Sequence, residues 1–171
     1  KNVNNTWAQV GGEIDGEAED DESGKSVSLS EDGSVVAIGA YRNDGNGSNS
    51  GHVRIYRNVN NTWTQIGSDI DGEAACDYSG ESISLSADGS VVAIGANYNN
   101  GNGNGSGHVR IYKNVNNTWT QIGSDIDGEA AWDDSGSSVS LSADGTLVAI
   151  GSLWNDGNGN NSGHVRVYQI N

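Results

Sequence analysis

Apolar side chains recur at every second position in short runs along this chain, and nowhere at helical spacing, a pattern that predicts β-strands. One unit shows four such runs: Ser82-Ile83-Ser84-Leu85-Ser86, Val91-Val92-Ala93-Ile94-Gly95, His108-Val109-Arg110-Ile111-Tyr112 and Thr118-Trp119-Thr120-Gln121-Ile122. Between the first two, Ala87-Asp88-Gly89 reads as a tight hairpin in which glycine takes the positive φ that a following bulge requires. The longer connectors are Asn, Gly, Asp and Ser, the composition of surface loops.

The unit returns with a period of 56 and without insertion or deletion: Trp7, Trp63 and Trp119 are 56 apart, as are His52, His108 and His164. Residues 58–113 and 114–169 agree at 43 of 56 positions, so the unit was copied recently or made deliberately. A single repeat domain over residues 1–171 is expected, divided into 1–57, 58–113 and 114–171. The first copy differs most. Its additional acids Glu19, Asp20 and Glu22 stand where the other copies carry Ala, Cys or Trp, and Tyr or Asp.

Four short antiparallel strands per unit at this period describe a propeller blade better than a solenoid coil. Small residues suit that packing, because Ser, Ala and Gly let neighbouring sheets approach face to face. The run Ser28-Leu29-Ser30-Glu31-Asp32-Gly33-Ser34-Val35-Val36-Ala37-Ile38-Gly39-Ala40, followed by Gly51-His52-Val53-Arg54-Ile55-Tyr56, resembles the FG-GAP repeat of integrin-alpha-like propellers, with a more distant likeness to WD40 blades. The Phe-Gly position reads Ser-Gly at Ser23-Gly24, Ser79-Gly80 and Ser135-Gly136, and Tyr41, Asn97 and Leu153 replace the proline of the Gly-Ala-Pro triplet. The resemblance covers the whole chain and implies an all-β propeller of four-stranded blades, three per chain. It implies little about activity, since propellers host many.

In that family's strand order the Ser-Val-Ser-Leu-Ser run is innermost and the Trp-Thr-Gln-Ile run outermost. The chain then starts with an outermost strand, Trp7 to Val10, and ends on a third strand, His164 to Tyr168. Residues 1–15 become the outer strand that closes a last blade. Three blades are too few for a ring and leave two sheet faces open to water. A homodimer of half-rings is expected, giving six blades with exchanged N-terminal strands. A nine-bladed trimer and a segment of a longer array are the alternatives.

Composition sharpens this picture. Leu, Ile and Val are 32 of 171 residues, a level at which highly charged chains are often disordered, and the alternative of a weakly structured Asn/Gly-rich adhesin segment follows from it. The strict placement of the apolar positions argues for the propeller instead. The net charge of −15 excludes a nucleic-acid backbone as partner and disfavours an anionic membrane surface. No apolar run approaches the roughly 20 residues of a spanning helix, so no membrane insertion is expected. Cys76 is the single cysteine, which leaves no internal disulfide.

Both polar connectors of each unit are expected on one face of the ring. Hard cations such as calcium take oxygens from such loops, and the candidate ligands are Asp15, Glu17 and Asp21, then Asp71, Glu73 and Asp77, then Asp127, Glu129 and Asp133. The alternative is that these acids cap turns and keep the protein soluble. No cofactor is required. Tyr41 with Asn43, Tyr98 with Asn99, and Trp154 with Asn155 pair an aromatic plate with polar groups, the chemistry that binds a sugar ring, or else are ordinary loop residues. Weak sites repeated at fixed spacing would act together.

The three histidines share strand faces with Arg54, Arg110 and Arg166 and with Tyr56, Tyr112 and Tyr168. They read as structural, because the repeat places each in a separate blade. The tryptophans are expected to pack on the tyrosines of adjacent third strands. Six Asn-x-Ser/Thr sequons, at Asn4, Asn46, Asn60, Asn104, Asn116 and Asn160, would accept glycans in a eukaryotic secretory route. No nucleophile with base, phosphate-cradling loop or symmetry-breaking cluster stands out, so an enzyme is not expected. The reading is an extracellular or cell-surface propeller that binds weakly and multivalently through an acidic, Asn-rich face, with a glycan or protein as ligand. The alternative is a purely architectural self-assembling protein or a designed symmetric scaffold.

Overall fold

Alternating residues of the inner run bond and pack to opposite sides, and this organises the computed structural model, which describes residues 2, 3 and 6–170. A short hairpin comes first, β1 (Asn2–Val3) against β2 (Thr6–Trp7). The first full sheet is an antiparallel meander of β3 (Ser26–Leu29), β4 (Val35–Ala40), β5 (His52–Val59) and β6 (Thr62–Gln65), with β7 (Ile70–Asp71) on the free half of β5. The second repeats it as β8 (Ser82–Leu85), β9 (Val91–Ala96), β10 (His108–Val115), β11 (Thr118–Gln121) and β12 (Ile126–Asp127). The third has β13 (Ser135–Leu141), β14 (Leu147–Ser152) and β15 (His164–Gln169). Among the described residues there is no helix, and none long and apolar enough to cross a membrane.

Turn chemistry fixes the register. At Ser86-Ala87-Asp88-Gly89, Gly89 has φ +68°, the Ser86 hydroxyl donates to Asp88 Oδ1 at 2.7 Å and the Ser90 amide donates to the same oxygen at 2.9 Å. The β5–β6 and β10–β11 hairpins turn on Asn60-Asn61 and Asn116-Asn117, all four at positive φ, which asparagine tolerates.

Successive sheets pack face to face. Val35, Ala37, Val53 and Ile55 of the first meet Ile83, Leu85, Val92 and Ile94 of the second; Val91, Ala93, Val109 and Ile111 then meet Val148 and Ile150 of the third. The serines of the inner run bond across these seams. Ser26 and Ser82 Oγ donate to the carbonyls of Gly80 and Gly136 at 2.6 Å, and Ser28 and Ser84 Oγ accept the amides of Leu85 and Leu141 at 3.0 Å. Gly39 and Gly95 sit where a side chain would overlap the Gly80 and Gly136 carbonyls, so the close approach requires glycine.

Several strand expectations need correcting. The strand anticipated at Trp7 to Val10 is confined to Thr6–Trp7 and pairs with Asn2–Val3; among the described residues of this segment none pairs with β15. Ile70–Asp71 and Ile126–Asp127, read as loop, are short strands beside His52 and His108. The third strands run on past Tyr56 and Tyr112 to Val59 and Val115, which gives them room for two partners. The tryptophans do more than pack on tyrosine: Trp63 and Trp119 Nε1 donate to the carbonyls of Val10 and Ile66, at 2.9 and 2.8 Å, which ties each hairpin to the preceding repeat.

Candidate functional site

The two polar connectors of each repeat lie against each other, on one face. Asn46 Nδ2 donates to the Gly72 and Glu73 carbonyls, and the Cys76 and Ser79 amides donate to the Ser48 and Ser50 carbonyls. The segment linking one sheet to the next is held between the loops of both.

Asp77 is the latch on the far side. It is buried, and its Oδ2 accepts the Ala74 amide and Asn99 Nδ2, both at 3.0 Å, while Asn99 Oδ1 accepts the Gly101 amide at 2.8 Å. Asp21 with Asn43 and Asp133 with Asn155 repeat the arrangement. Asn43, Asn99 and Asn155 are therefore buried with both ends of the amide bonded inside the loop. Of the ligand candidates, the aromatic members are the ones facing outward.

The acids proposed for calcium are separated by the same geometry. Glu73 turns to Arg110 and His108, Asp77 turns to Asn99, and the Asp71 backbone carbonyl accepts Arg110 Nη2 at 2.6 Å. Glu17 and Glu129 likewise face His52 with Arg54 and His164 with Arg166, and the Asp15 and Asp127 carbonyls accept the corresponding arginines. Among the described residues, the groups that bring three metal-ligating atoms within 4.8 Å of one another are Glu17–His52–Asp69 and Glu73–His108–Asp125. Asp69 and Asp125 were missed in the sequence because they come from the repeat after the histidine's.

Three tyrosines meet on the loop face across the first seam. The Tyr41 and Tyr78 ring centroids are 5.6 Å apart, and Tyr78 meets Tyr98 edge to face at 5.3 Å. Lys25, Glu81 and Asn97 complete a shallow pocket with them; Lys25 Nζ lies 3.1 Å from Glu81 Oε1 and 5.2 Å from the Tyr41 ring centre. Tyr78 was not singled out in the sequence, since its equivalents are Glu22 and Asp134. Those equivalents keep the contact but change its chemistry: Arg42 Nη1 pairs with Glu22 at 2.9 Å, and burial pushes the Asp134 carboxyl up while a hydrogen bond from Trp154 opposes it. Asn4 lies outside the described residues, and the other five sequon asparagines lie in loops or turns.

Residues 14–56 match the FG-GAP repeat family. They are an FG-GAP-like repeat. The match spans one repeat of the chain, and the same strand order recurs in the two that follow the FG-GAP-like segment. No curated protein matches the chain in sequence. Among solved structures, the chain is similar to Kuenenia stuttgartiensis hydrazine synthase, with a TM-score of 0.51 and 13% identity over 92% of this chain and 36% of that one. It is also similar to the Pseudomonas aeruginosa periplasmic gluconolactonase PpgL, with a TM-score of 0.52 and 18% identity over 84% of this chain and 38% of that one. The chain thus spans little more than a third of either. At such identities the likeness carries the fold, a β-propeller module, and nothing of either enzyme's activity.

Proposed function

We propose that the chain is an extracellular propeller module that recognises a ligand, a glycan by the chemistry on display, through its loop face. The tyrosine cluster at the first seam carries this reading: flat rings beside a lysine, a carboxylate and an amide suit the apolar face and hydroxyls of a pyranose. The distribution of differences between repeats supports it. Of the 13 positions at which 58–113 and 114–169 differ, Cys76, Tyr78, Glu81, Asn97, Tyr98, Asn100 and Gly105 belong to the loop face, while the seam changes, Ile83 to Val139, Val91 to Leu147 and Ile111 to Val167, exchange one aliphatic side chain for another. A scaffold that keeps its apolar character beneath a chemically varied surface is the arrangement of a recognition module. No catalytic role is assigned, and hydrogen bonds between Asp77 and Asn99 and their equivalents tie the loops together.

Glycan-array binding by the labelled chain tests the reading. A signal lost in Tyr78→Ala/Tyr98→Ala, with folding retained by circular dichroism, supports it; a signal indifferent to both changes sinks it. A second reading, architecture alone, is favoured by the open sheet faces at the two ends of the arc. Two copies closing a six-bladed ring without binding any glycan would favour it.

A further inference from the structure

His108 is 1% exposed, and its Nε2 has no hydrogen-bond partner. Its Nδ1 faces Asp125 Oδ2 at 3.7 Å and Glu73 Oε2 at 3.9 Å, beyond hydrogen-bond length. Each carboxylate is steadied through its other oxygen: Gln121 Nε2 donates to Asp125 Oδ1 at 2.6 Å, and Arg110 Nη1 lies 3.7 Å from Glu73 Oε1 while Nη2 is anchored on the Asp71 carbonyl. The imidazole nitrogen and the two carboxylate oxygens lie within 4.8 Å of one another, and each carboxylate has a group behind it of the kind that orients metal ligands. The preceding repeat carries the same carboxylate–histidine–carboxylate cluster, with Glu17, His52 and Asp69 backed by Arg54 and Gln65.

We propose that Glu73–His108–Asp125 and Glu17–His52–Asp69 are binding sites for a divalent transition metal ion of the zinc type. An imidazole with two carboxylates suits zinc, whereas calcium and magnesium take oxygen alone. Zinc–ligand bonds of roughly 2.0–2.2 Å place neighbouring ligand atoms about 3.4 Å apart in a tetrahedral site. The two nitrogen–oxygen spacings are a few tenths of an ångström wider, the two carboxylate oxygens lie within 4.8 Å of each other, and the part-exposed Glu73 and Asp125 side chains can close the gap by rotation. Arg110 opposes the ion's charge, but its bond to the Asp71 carbonyl holds it on the far oxygen of Glu73. The third repeat has Glu129 and His164 without the aspartate, whose equivalents in the other sites come from the following repeat.

Titration calorimetry of the 171-residue chain with ZnCl2, and d–d absorption with CoCl2, tests the proposal. His52→Ala and His108→Ala should each abolish one bound ion, and Glu73→Gln, a gentler change at an exposed side chain, should weaken the His108 site while leaving the His52 site intact. CaCl2 should compete with neither. Absence of zinc binding, or stoichiometry unchanged in all three variants that remain folded by circular dichroism, would overturn it.

Discussion

Strands β10 and β15 carry nearly the same residues, His-Val-Arg-Ile-Tyr and His-Val-Arg-Val-Tyr, yet Val109 is 0% exposed and Val165 is 67% exposed. The inner strands show the mirror image: Ile83 is 9% exposed and Val27, its equivalent, 65%. Burial at these positions is set by whether a neighbouring sheet follows or precedes, not by the residue. Each seam is one sheet's forward face, the Val53/Ile55 type, on the next sheet's rear face, the Ile83/Leu85 type. Among the described residues one of each is left uncovered, with Val27 and Leu29 exposed at one end and Val165 and Val167 at the other.

The contrast is broken most strongly by truncating its buried side. Ile111→Ala should cost about 2–5 kcal/mol, read from urea midpoints, because the seam with the third sheet cannot refill the space. Val167→Ala, at the equivalent exposed position, should stay within about 0.5 kcal/mol in the isolated chain. Equal costs would show that the two strands do not differ as described.

Glycine substitution sharpens the same point at smaller cost. A Cβ on Gly95 would overlap the Gly136 carbonyl of the next sheet, whereas on Gly151 it meets only Ser138 of its own sheet. Gly95→Ala should destabilise by about 1–3 kcal/mol through forced separation of the sheets, and Gly151→Ala by clearly less. Thermal midpoints of the two variants measure the difference.

A pH profile gives the smallest effect. The His108 pKa is lowered below its ordinary 6.5, chiefly by burial, so the unfolded chain takes up the proton first and stability falls as pH drops through that value. The loss between pH 7 and 5 should shrink in His108→Gln, and a profile unchanged by that substitution would contradict the burial of this ring.

Much of this was legible in the sequence. The period-2 runs and the Asp-Gly turn located the strands, because a half-buried sheet imposes alternation and a hairpin demands a glycine at positive φ. Ile70–Asp71 was not legible, since two residues cannot show a period, and the Asn60-Asn61 turn was hidden in an Asn-rich background. The loop acids of each repeat were read as a cation-binding set or as turn caps, and side-chain direction divides them: Asp77 points inward to Asn99 and the Ala74 amide, and Glu73 toward His108. The His108 cluster escaped notice because its members are 35 and 17 residues from the histidine and belong to two repeats: Asp125 is brought in by the β10–β12 pairing and Glu73 by the segment linking the preceding sheet.

We propose that the two open faces pair as the internal seams do, and the solution mass from light scattering behind size exclusion tests this most directly. The account predicts a dimer near 35 kDa, about twice the 17.7 kDa chain, returning to monomer in Val165→Lys/Val167→Lys. A stable monomer of the unaltered chain at micromolar concentration would contradict it.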